Sequence, residues 1–320
     1  MHYDVFNGDA DGIIALLQLR LSSPKQSQLV TGVKRDISLL KQVDVEQASS
    51  VTVLDISLEK NLLPLKELLA KDIPVIYIDH HRSGDIPQSD HLTSIINTDP
   101  NTCTSLLVND YLKAKYVNWA IAAAFGDNMI ASAKSLANKH GLTEEKQALL
   151  CELGTYINYN GYGRDLDDLY YSPSDLFNIL LDYPDPFSLI EEQGSAFSQL
   201  KKRYHADMSN AQAAKVLADE INVKAVLLAD ESWARRISGV FGNELANQSP
   251  DKAHAVLTLN SDNSYTVSLR APLNNKQGAG DICAQFPTGG GRAAAAGINA
   301  LPKQMLGEFF DTVAKYYQQK

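Results

Sequence analysis

Short apolar runs alternate with longer amphipathic stretches over the first half of the chain. The runs of strand length lie at residues 3–6, 28–33, 50–57 and 73–81. The stretches with helical periodicity between them lie at residues 12–21, 37–43 and 58–71, and residues 102–153 are mostly helical in pattern. The run at 73–81 is apolar at consecutive positions, as in a strand that is buried on both faces. Strands that alternate with helices predict βαβ units and a parallel sheet.

A second α/β pattern follows a polar stretch with helical periodicity near residues 193–220. It predicts strands at residues 223–229, 253–260 and 265–270, helices at 233–247, 277–285 and 304–318, and a glycine turn at 288–292. A length of 320 residues also favours two domains. The predicted fold class is therefore α/β, with a parallel-sheet domain at residues 1–190, a helical linker at 191–220 and a smaller α/β domain at 221–320.

The chain is acidic, with 29 Lys and Arg residues against 38 Asp and Glu residues and a formal charge of −9. Proteins that bind long nucleic acid through general electrostatics need a basic surface, so we expect no long nucleic acid as a partner. A short anionic ligand that is held by metal ions and a few local cations is compatible with this charge.

Cysteine usage and hydropathy predict the compartment. Cys103, Cys151 and Cys283 form no CxxC pair and leave one cysteine over, which predicts reduced thiols. The first residues carry aspartates where a signal peptide needs cations and an apolar core. No apolar run reaches the roughly 18 residues of a membrane-spanning helix. We therefore expect a cytoplasmic protein that has no membrane partner.

Acidic residues and histidines stand where the predicted strands end. The carboxyl ends of parallel strands meet at one edge of a sheet, and ligands bind there. The residues at these positions are Asp9 and Asp11 after the first strand, Asp55 in the strand at 50–57, and Asp79, His80 and His81 in the strand at 73–81. Asp127 follows an apolar helical stretch, and the pattern leaves its placement open.

Carboxylates that are packed so closely repel one another unless cations neutralise them. Oxygen and imidazole ligands suit Mn²⁺ or Mg²⁺, and two such ions about 3.5–4 Å apart can clamp a phosphoryl group. A single aspartate after a strand is as often a helix N-cap, and adjacent histidines are more often ordinary surface or core residues. The joint occurrence at several strand ends favours the metal interpretation.

The motifs that carry these residues resemble, in order, the four motifs of the DHH phosphoesterase superfamily. They are NGDADG at residues 7–12, LDIS at 54–57, IDHH at 78–81 and GD at 126–127. VSLRA at 267–271, GAGDICAQF at 278–286 and GGGRAAAAG at 289–297 resemble the substrate-binding domain that follows the catalytic domain in RecJ-like and oligoribonuclease-type members. The resemblance thus covers nearly the whole chain.

The resemblance implies a metal-dependent phosphodiesterase or phosphatase with two Mn²⁺ ions, Mg²⁺ being compatible. The implied ligands are Asp9, Asp11, Asp55, His80 and Asp127, with Asp55 bridging both ions. Asp79 would support His80, either as a ligand itself or as a carboxylate that orients the imidazole, and His81 would face the scissile phosphate. Many members carry an additional His or Asp just upstream of the first motif aspartate, where this chain has residues 5–8 (VFNG). One metal site is therefore expected to bind more weakly.

The expected substrate-binding residues are less specific. Arg292 stands where members usually have His, and it suits a terminal phosphate or a guanine edge, although a structural salt bridge is the alternative. The glycines Gly289, Gly290 and Gly291 would let backbone N–H groups approach an anion. Arg270 is expected to face substrate or else to be an exposed edge cation. Arg164 lies in a tyrosine-rich segment that suits base stacking or plain packing.

The hypothesis from the sequence is a phosphodiesterase that hydrolyses very short 5′-phosphorylated oligonucleotides, especially linear dinucleotides of the pGpG or pApA kind, to nucleoside monophosphates. One alternative is a phosphatase for 3′-phosphoadenosine 5′-phosphate, pyrophosphate or polyphosphate. Another is a nucleotide-binding regulator without activity. The sequence leaves the oligomeric state open and is compatible with a homodimer.

Overall fold

The computed structural model describes residues 1–318. The chain divides into two compact units, Met1–Lys202 and a second unit from Arg203 onward, and the division falls inside the segment predicted as a linker. The first unit is built on a parallel sheet and the second on a mixed sheet. The predicted α/β class, a parallel-sheet unit followed by a second α/β unit, is confirmed.

The strands of the first unit are β1 (His2–Phe6), β2 (Gln28–Val30), β3 (Ser50–Leu54), β4 (Val75–Asp79) and β5 (Leu92–Ile96). In the described chain they form one five-stranded parallel sheet in the order β2-β1-β3-β4-β5. Every residue of β1 is buried, as expected for a central strand between two layers. The sheet edge after the strands is therefore held on a rigid core.

Helices cover this sheet. In chain order they are α1 (Ala10–Ser22), α2 (Leu62–Ala70), α3 (Thr104–Tyr111), α4 (Val117–Gly126), α5 (Ile130–Lys139), α6 (Glu144–Asn160), α7 (Pro173–Leu180), α8 (Pro186–Glu191) and α9 (Ala196–Gln212). Leu65 and Leu68 of α2 share one apolar core with Val53 and Tyr77 of the sheet. The division between the two units falls within α9.

Strand register aligns the carboxyl ends of the central strands. Phe6 pairs with Leu54, and Leu54 pairs with Ile78. The residues that follow these positions therefore lie side by side at one edge of the sheet, as the sequence predicts for a parallel sheet.

The second unit contains β6 (Lys215–Asp219), β7 (Val223–Leu228), α10 (Ser232–Gln248), β8 (Ala253–Leu259), β9 (Tyr265–Arg270), α11 (Ala279–Cys283), β10 (Gly289–Gly291), β11 (Ala295–Leu301) and α12 (Leu306–Gln318). Within residues 203–318 the strands form a six-stranded sheet in the order β10-β11-β9-β8-β7-β6. Its core includes Leu257, Leu269, Ile298 and Phe309, so that α12 closes one face.

Several sequence-based expectations need correction. The polar helix predicted to reach residue 220 ends at Gln212, because the apolar residues of β6 pair with β7. The glycine turn at 288–292 contains the short strand β10, which pairs with β11. The helix expected at 37–43 is only a single turn of 3₁₀ helix. In the part of the chain described, no helix combines the length and apolar character that crossing a membrane requires.

A buried ion pair ties β1 to α1. Arg20 Nε donates to Asp4 Oδ2 at 2.8 Å, and a second guanidinium nitrogen also donates to Asp4. His2 Nε2 lies 3.0 Å from Asp4 Oδ1, and Ser27 donates to Asp4 Oδ2 at 2.6 Å. Burial opposes ionisation of Asp4, yet the bonds from Arg20 and His2 lower its pKa to about 2. The carboxylate is thus held ionised inside the first unit.

Replacing Arg20 by Met should lower the free energy of unfolding by about 3 kcal/mol at pH 7, because it leaves the buried Asp4 carboxylate without its main partner. The pKa of Asp4 is depressed in the folded state, so its contribution is present above about pH 4 and lost as the pH falls towards its folded pKa. Urea denaturation of both proteins at pH 7 and pH 3 measures the difference, which should shrink at the lower pH.

The control for this prediction is Lys71→Met. Lys71 pairs with the highly exposed Glu46, and exposed pairs contribute only about 0–1 kcal/mol. Equal losses of stability in Arg20→Met and Lys71→Met would contradict the stabilising role of the buried pair.

Candidate active site

Two aspartates at the start of α1 accept hydrogen bonds from the N–H groups of helix N-termini at the carboxyl edge of the first sheet. Asp9 is the N-cap of α1, and its Oδ1 accepts hydrogen bonds from the N–H groups of Asp11 at 3.0 Å and Gly12 at 3.1 Å. Asp11 reaches α3, where its two oxygens accept the N–H groups of Thr104 and Ser105, each at 2.7 Å. Free N–H groups at a helix N-terminus favour negative charge, so both carboxylates are fixed in place.

Asp55 follows β3 in the left-handed backbone region, with a φ of 59°. Few residues other than glycine adopt this backbone conformation, although Asp does so more readily than most. The side chain is buried, and its Oδ1 accepts a hydrogen bond from Thr104 Oγ1 at 3.0 Å. Burial and the carboxylates of Asp11 and Asp9 raise the pKa of Asp55 well above its ordinary value. Its ionised form therefore needs a cation nearby.

His80 directs one ring nitrogen at these carboxylates. Its Nδ1 lies 3.0 Å from the carbonyl oxygen of Thr102, and because a carbonyl only accepts, Nδ1 carries the hydrogen. Nε2 lies 3.4 Å from Asp55 Oδ1 and 3.9 Å from Asp11 Oδ2. In the neutral ring Nε2 presents a lone pair to these oxygens, which is repulsive unless a cation lies between them.

Asp79 positions His81, which corrects the expectation that it supports His80. Asp79 Oδ1 accepts a hydrogen bond from His81 Nδ1 at 2.7 Å. His80 is held instead by its hydrogen bond to the carbonyl oxygen of Thr102. Burial opposes a charge on His81, but the bond to Asp79 and the charges of Asp55 and Asp79 raise the pKa of His81 above its ordinary value.

Lys34, which the sequence analysis did not single out, lies at the other side of the acidic cluster. Its Nζ donates to Asp9 Oδ2 and, at 3.0 Å, to Asn158 Oδ1, and it lies 3.7 Å from Asp127 Oδ1. Burial disfavours its charge, but Asp9, Tyr162 and Asp127 raise the pKa of Lys34 above its ordinary value. Lys34 is therefore a permanent cation of this edge.

The predicted metal ligands, together with His81, which was predicted to face the phosphate, thus fall into two groups. Asp55, His80 and His81 form a histidine half, in which one ligand atom from each residue lies within 4.8 Å of the others. Asp9 and Asp127 form a lysine half around the ammonium group of Lys34. Asp11 lies beside the histidine half, where it approaches His80.

No family model and no curated protein matches this sequence. Solved structures match both units. The manganese-bound exonuclease RecJ gives a TM-score of 0.58 at 16% identity over 100% of this chain and 90% of its own. The pGpG-specific phosphodiesterase PggH from Vibrio cholerae has a TM-score of 0.56 at 11% identity, and the match covers 100% of this chain and 99% of PggH. An exopolyphosphatase-related protein from Bacteroides fragilis has a TM-score of 0.55 at 14% identity, and the match covers 99% of this chain and 92% of that protein. The chain has the fold of the DHH superfamily.

The histidine half of this DHH fold fits a divalent metal ion. Asp79 Oδ2 beside it is buried and has no hydrogen-bond partner within residues 1–318. Carboxylate oxygens and a neutral imidazole nitrogen are donors that suit Mn²⁺ and Mg²⁺. The unfavourable approach of His80 Nε2 to Asp55 also becomes favourable when a cation lies between them.

The residues predicted to bind substrate lie in both units of the DHH fold. Arg164 lies in the first unit after α6, whereas the others belong to the second unit. The guanidinium of Arg270 donates to Asn243 Oδ1 of α10 at 2.6 Å, so a partner in its own unit already fixes it. Gly289–Gly291 form β10, and the exposed Arg292 follows directly. Their part in substrate binding stays a prediction.

The sequence holds one signal that could have identified Lys34. β2 is the neighbour of β1 in the parallel sheet, so the segment after β2 reaches the same edge as Asp9. A basic residue that follows such a strand within a few positions is a candidate counter-ion for the carboxylates.

Replacing Asp55 by Asn together with His80 by Ala should weaken Mn²⁺ binding by more than about 100-fold, since even an outer-shell partner is worth roughly 10–100-fold. Isothermal titration calorimetry with Mn²⁺ measures this. The matched control is His140→Ala, because His140 is an exposed histidine of the same unit. Unchanged affinity in the double variant would exclude the histidine half as the metal site.

Proposed function

We propose that this chain is a metal-dependent phosphoester hydrolase that cleaves very short 5′-phosphorylated oligonucleotides, in particular linear dinucleotides of the pGpG or pApA kind, to nucleoside monophosphates. The observation that carries the proposal is the grouping of Asp55, His80 and His81 within 4.8 Å at the carboxyl edge of a parallel sheet. Proteins with this fold include an exonuclease and a phosphodiesterase, which share phosphoester hydrolysis.

Mn²⁺ is the proposed cofactor, and Mg²⁺ is compatible with the same donors. RecJ, which shares this fold, is described as bound to manganese. Held by the histidine half, such an ion would activate water as the nucleophile and offset charge on the phosphoryl group. The protein's own part is to hold the donors in a fixed geometry, through Thr104 for Asp55 and the Thr102 carbonyl for His80.

His81 is the residue proposed to act on the scissile phosphate. Its side chain is 30% exposed, whereas the Asp79 side chain behind it is fully buried. The hydrogen bond from Nδ1 to Asp79 fixes the ring and leaves Nε2 for the substrate. In its protonated form, the His81 ring can donate a proton or a hydrogen bond to a phosphoryl oxygen.

Two observations support a short substrate. The formal charge of −9 disfavours long nucleic acid, whose binding depends on many phosphate contacts. The pGpG-specific phosphodiesterase PggH has the same fold over nearly its full length. Arg292, Gly289, Gly290, Gly291 and Arg164 are the residues proposed to hold the remainder of the substrate.

A phosphatase for small phosphate compounds is the second candidate, because an exopolyphosphatase-related protein also shares the fold. Turnover with Mn²⁺ on a substrate panel separates the two functions. The panel comprises 5′-phosphorylated oligonucleotides of graded length from dinucleotides upward, a cyclic dinucleotide, 3′-phosphoadenosine 5′-phosphate and pyrophosphate. We expect fastest turnover of the linear dinucleotides. Hydrolysis of only the last two compounds would replace the proposal with the phosphatase, and no turnover despite bound metal would refute both.

Replacing His81 by Gln should lower kcat on the best substrate by about 10²–10⁴-fold, the range for loss of a general acid or base. Asp79→Asn should cost roughly 10–100-fold and shift the pH profile, because the residue acts through His81. Steady-state kinetics over a pH series measures both variants. His140→Ala is the control, and unaltered kcat in His81→Gln would contradict the assigned role.

A further inference from the structure

Lys34 fills the lysine half of the centre in the manner of a metal ion. Its ammonium group is surrounded by oxygens from three separate elements. Asp9 precedes α1, Asp127 ends α4, and Asn158 lies in α6. An ammonium group has three N–H donors, of which two are used by Asp9 and Asn158, while Asp127 Oδ1 lies 3.7 Å from the nitrogen. Lys34 is thus a neutralising cation rather than a donor held ready for a substrate.

The backbone around Lys34 is built to hold it at this position. Lys34 donates its N–H to the carbonyl of Gly161 at 2.8 Å, and Asn7 Nδ2 donates to the carbonyl of Lys34 at 3.0 Å. A Cβ at Gly8 would lie 1.8 Å from the carbonyl oxygen of Gly32, so only glycine permits this approach of the two loops. Asn7 therefore helps to position a lysine instead of offering a carboxylate to a metal.

Lys34 and a second metal ion would compete for the same carboxylate. Oδ1 of Asp9 accepts the helix N–H groups of Asp11 and Gly12, and Oδ2 accepts Lys34. An ion placed between Asp9 and Asp127 would lie within a few ångströms of the ammonium group, where like charges repel strongly in a buried site.

In the histidine half, the described partners of the Asp55 carboxylate include no lysine. The described ion pairs of Asp55 are with His80 and His81, and the hydrogen bond to its carboxylate comes from Thr104. No lysine or arginine is among these described partners of Asp55, so a divalent ion there has no fixed cation to displace.

We infer that the ammonium group of Lys34 takes the place of a second metal ion, so that the centre holds a single divalent ion in its histidine half. The inference rests on the proposed metal-dependent function. It replaces the two-ion centre implied by the sequence resemblance with a centre of one ion and one lysine.

Metal stoichiometry tests this without reference to activity. The full chain is saturated with Mn²⁺, freed of excess metal and analysed for bound manganese and for its electron paramagnetic resonance spectrum. We expect one ion per chain and the spectrum of an isolated Mn²⁺. Lys34→Met, which keeps an unbranched side chain one atom shorter and removes its charge, should raise the stoichiometry to two and give the broadened spectrum of a spin-coupled pair. Lys34→Arg should stay at one.

Lys201→Met is the matched control, because Lys201 pairs with Glu152 at the surface of the same unit. This variant should leave the stoichiometry at one. Two spin-coupled ions in the unaltered chain would overturn the inference, and this measurement decides even if Lys34→Met fails to fold. One ion in both the unaltered chain and folded Lys34→Met would also overturn it, since the position would then hold no metal. Absence of hydrolysis with one bound ion would refute the proposed function while leaving the stoichiometry result standing.

Discussion

Repulsion among buried carboxylates at one edge of a parallel sheet is the constraint on which the rest of this site depends. The register of β1, β3 and β4 brings Asp9, Asp11, Asp55 and Asp79 to that edge, and burial makes each negative charge costly. Three kinds of interaction offset this cost: hydrogen bonds from helix N–H groups, the hydrogen bond from the His81 imidazole to Asp79, and the ion pair with the ammonium group of Lys34. Burial and the carboxylates of Asp11 and Asp9 raise the pKa of Asp55, and its described ion pairs are with histidines only. The site therefore favours a metal ion beside Asp55.

The structural and functional interpretations of these aspartates are not alternatives. Asp9 caps α1, and Asp11 accepts the first N–H groups of α3, so both residues build the fold. The same bonds fix the direction of the remaining lone pairs, which is what a site for a metal ion or lysine requires. Loss of either carboxylate would therefore change the stability of the first unit together with the chemistry of its edge.

The sequence predicts the central strands and their acidic ends, because buried parallel strands are continuous apolar runs that any local pattern detects. Four strands were not predicted. β5 and β6 mix polar with apolar residues and lie at sheet edges, β10 was predicted as a glycine turn, and β11 contains small residues in place of a long apolar run. The sequence analysis assigned Asp79 to His80, whereas it pairs with His81, because the chain bends directly after β4 and a local pattern does not show that bend. The position of Lys34 after β2 is the one sequence signal for it, but its contacts with Asp9 and Asn158 depend on how loops pack.

The charge balance of the edge also bears on how a phosphate could approach it. A phosphoryl group is anionic, whereas this edge carries several aspartates, with Lys34 as a permanent cation and His81 as a titratable group among the described residues. Lys34 donates hydrogen bonds to Asp9 and Asn158, and the Asp9 carboxylate already balances its charge. Attraction for a phosphate must then come from a cation in the histidine half or from the arginines. In the second unit Arg270 is already bonded to Asn243, which leaves less positive charge there for a ligand. Under the proposed function, a divalent ion in the histidine half would supply positive charge for a phosphoryl group at this edge.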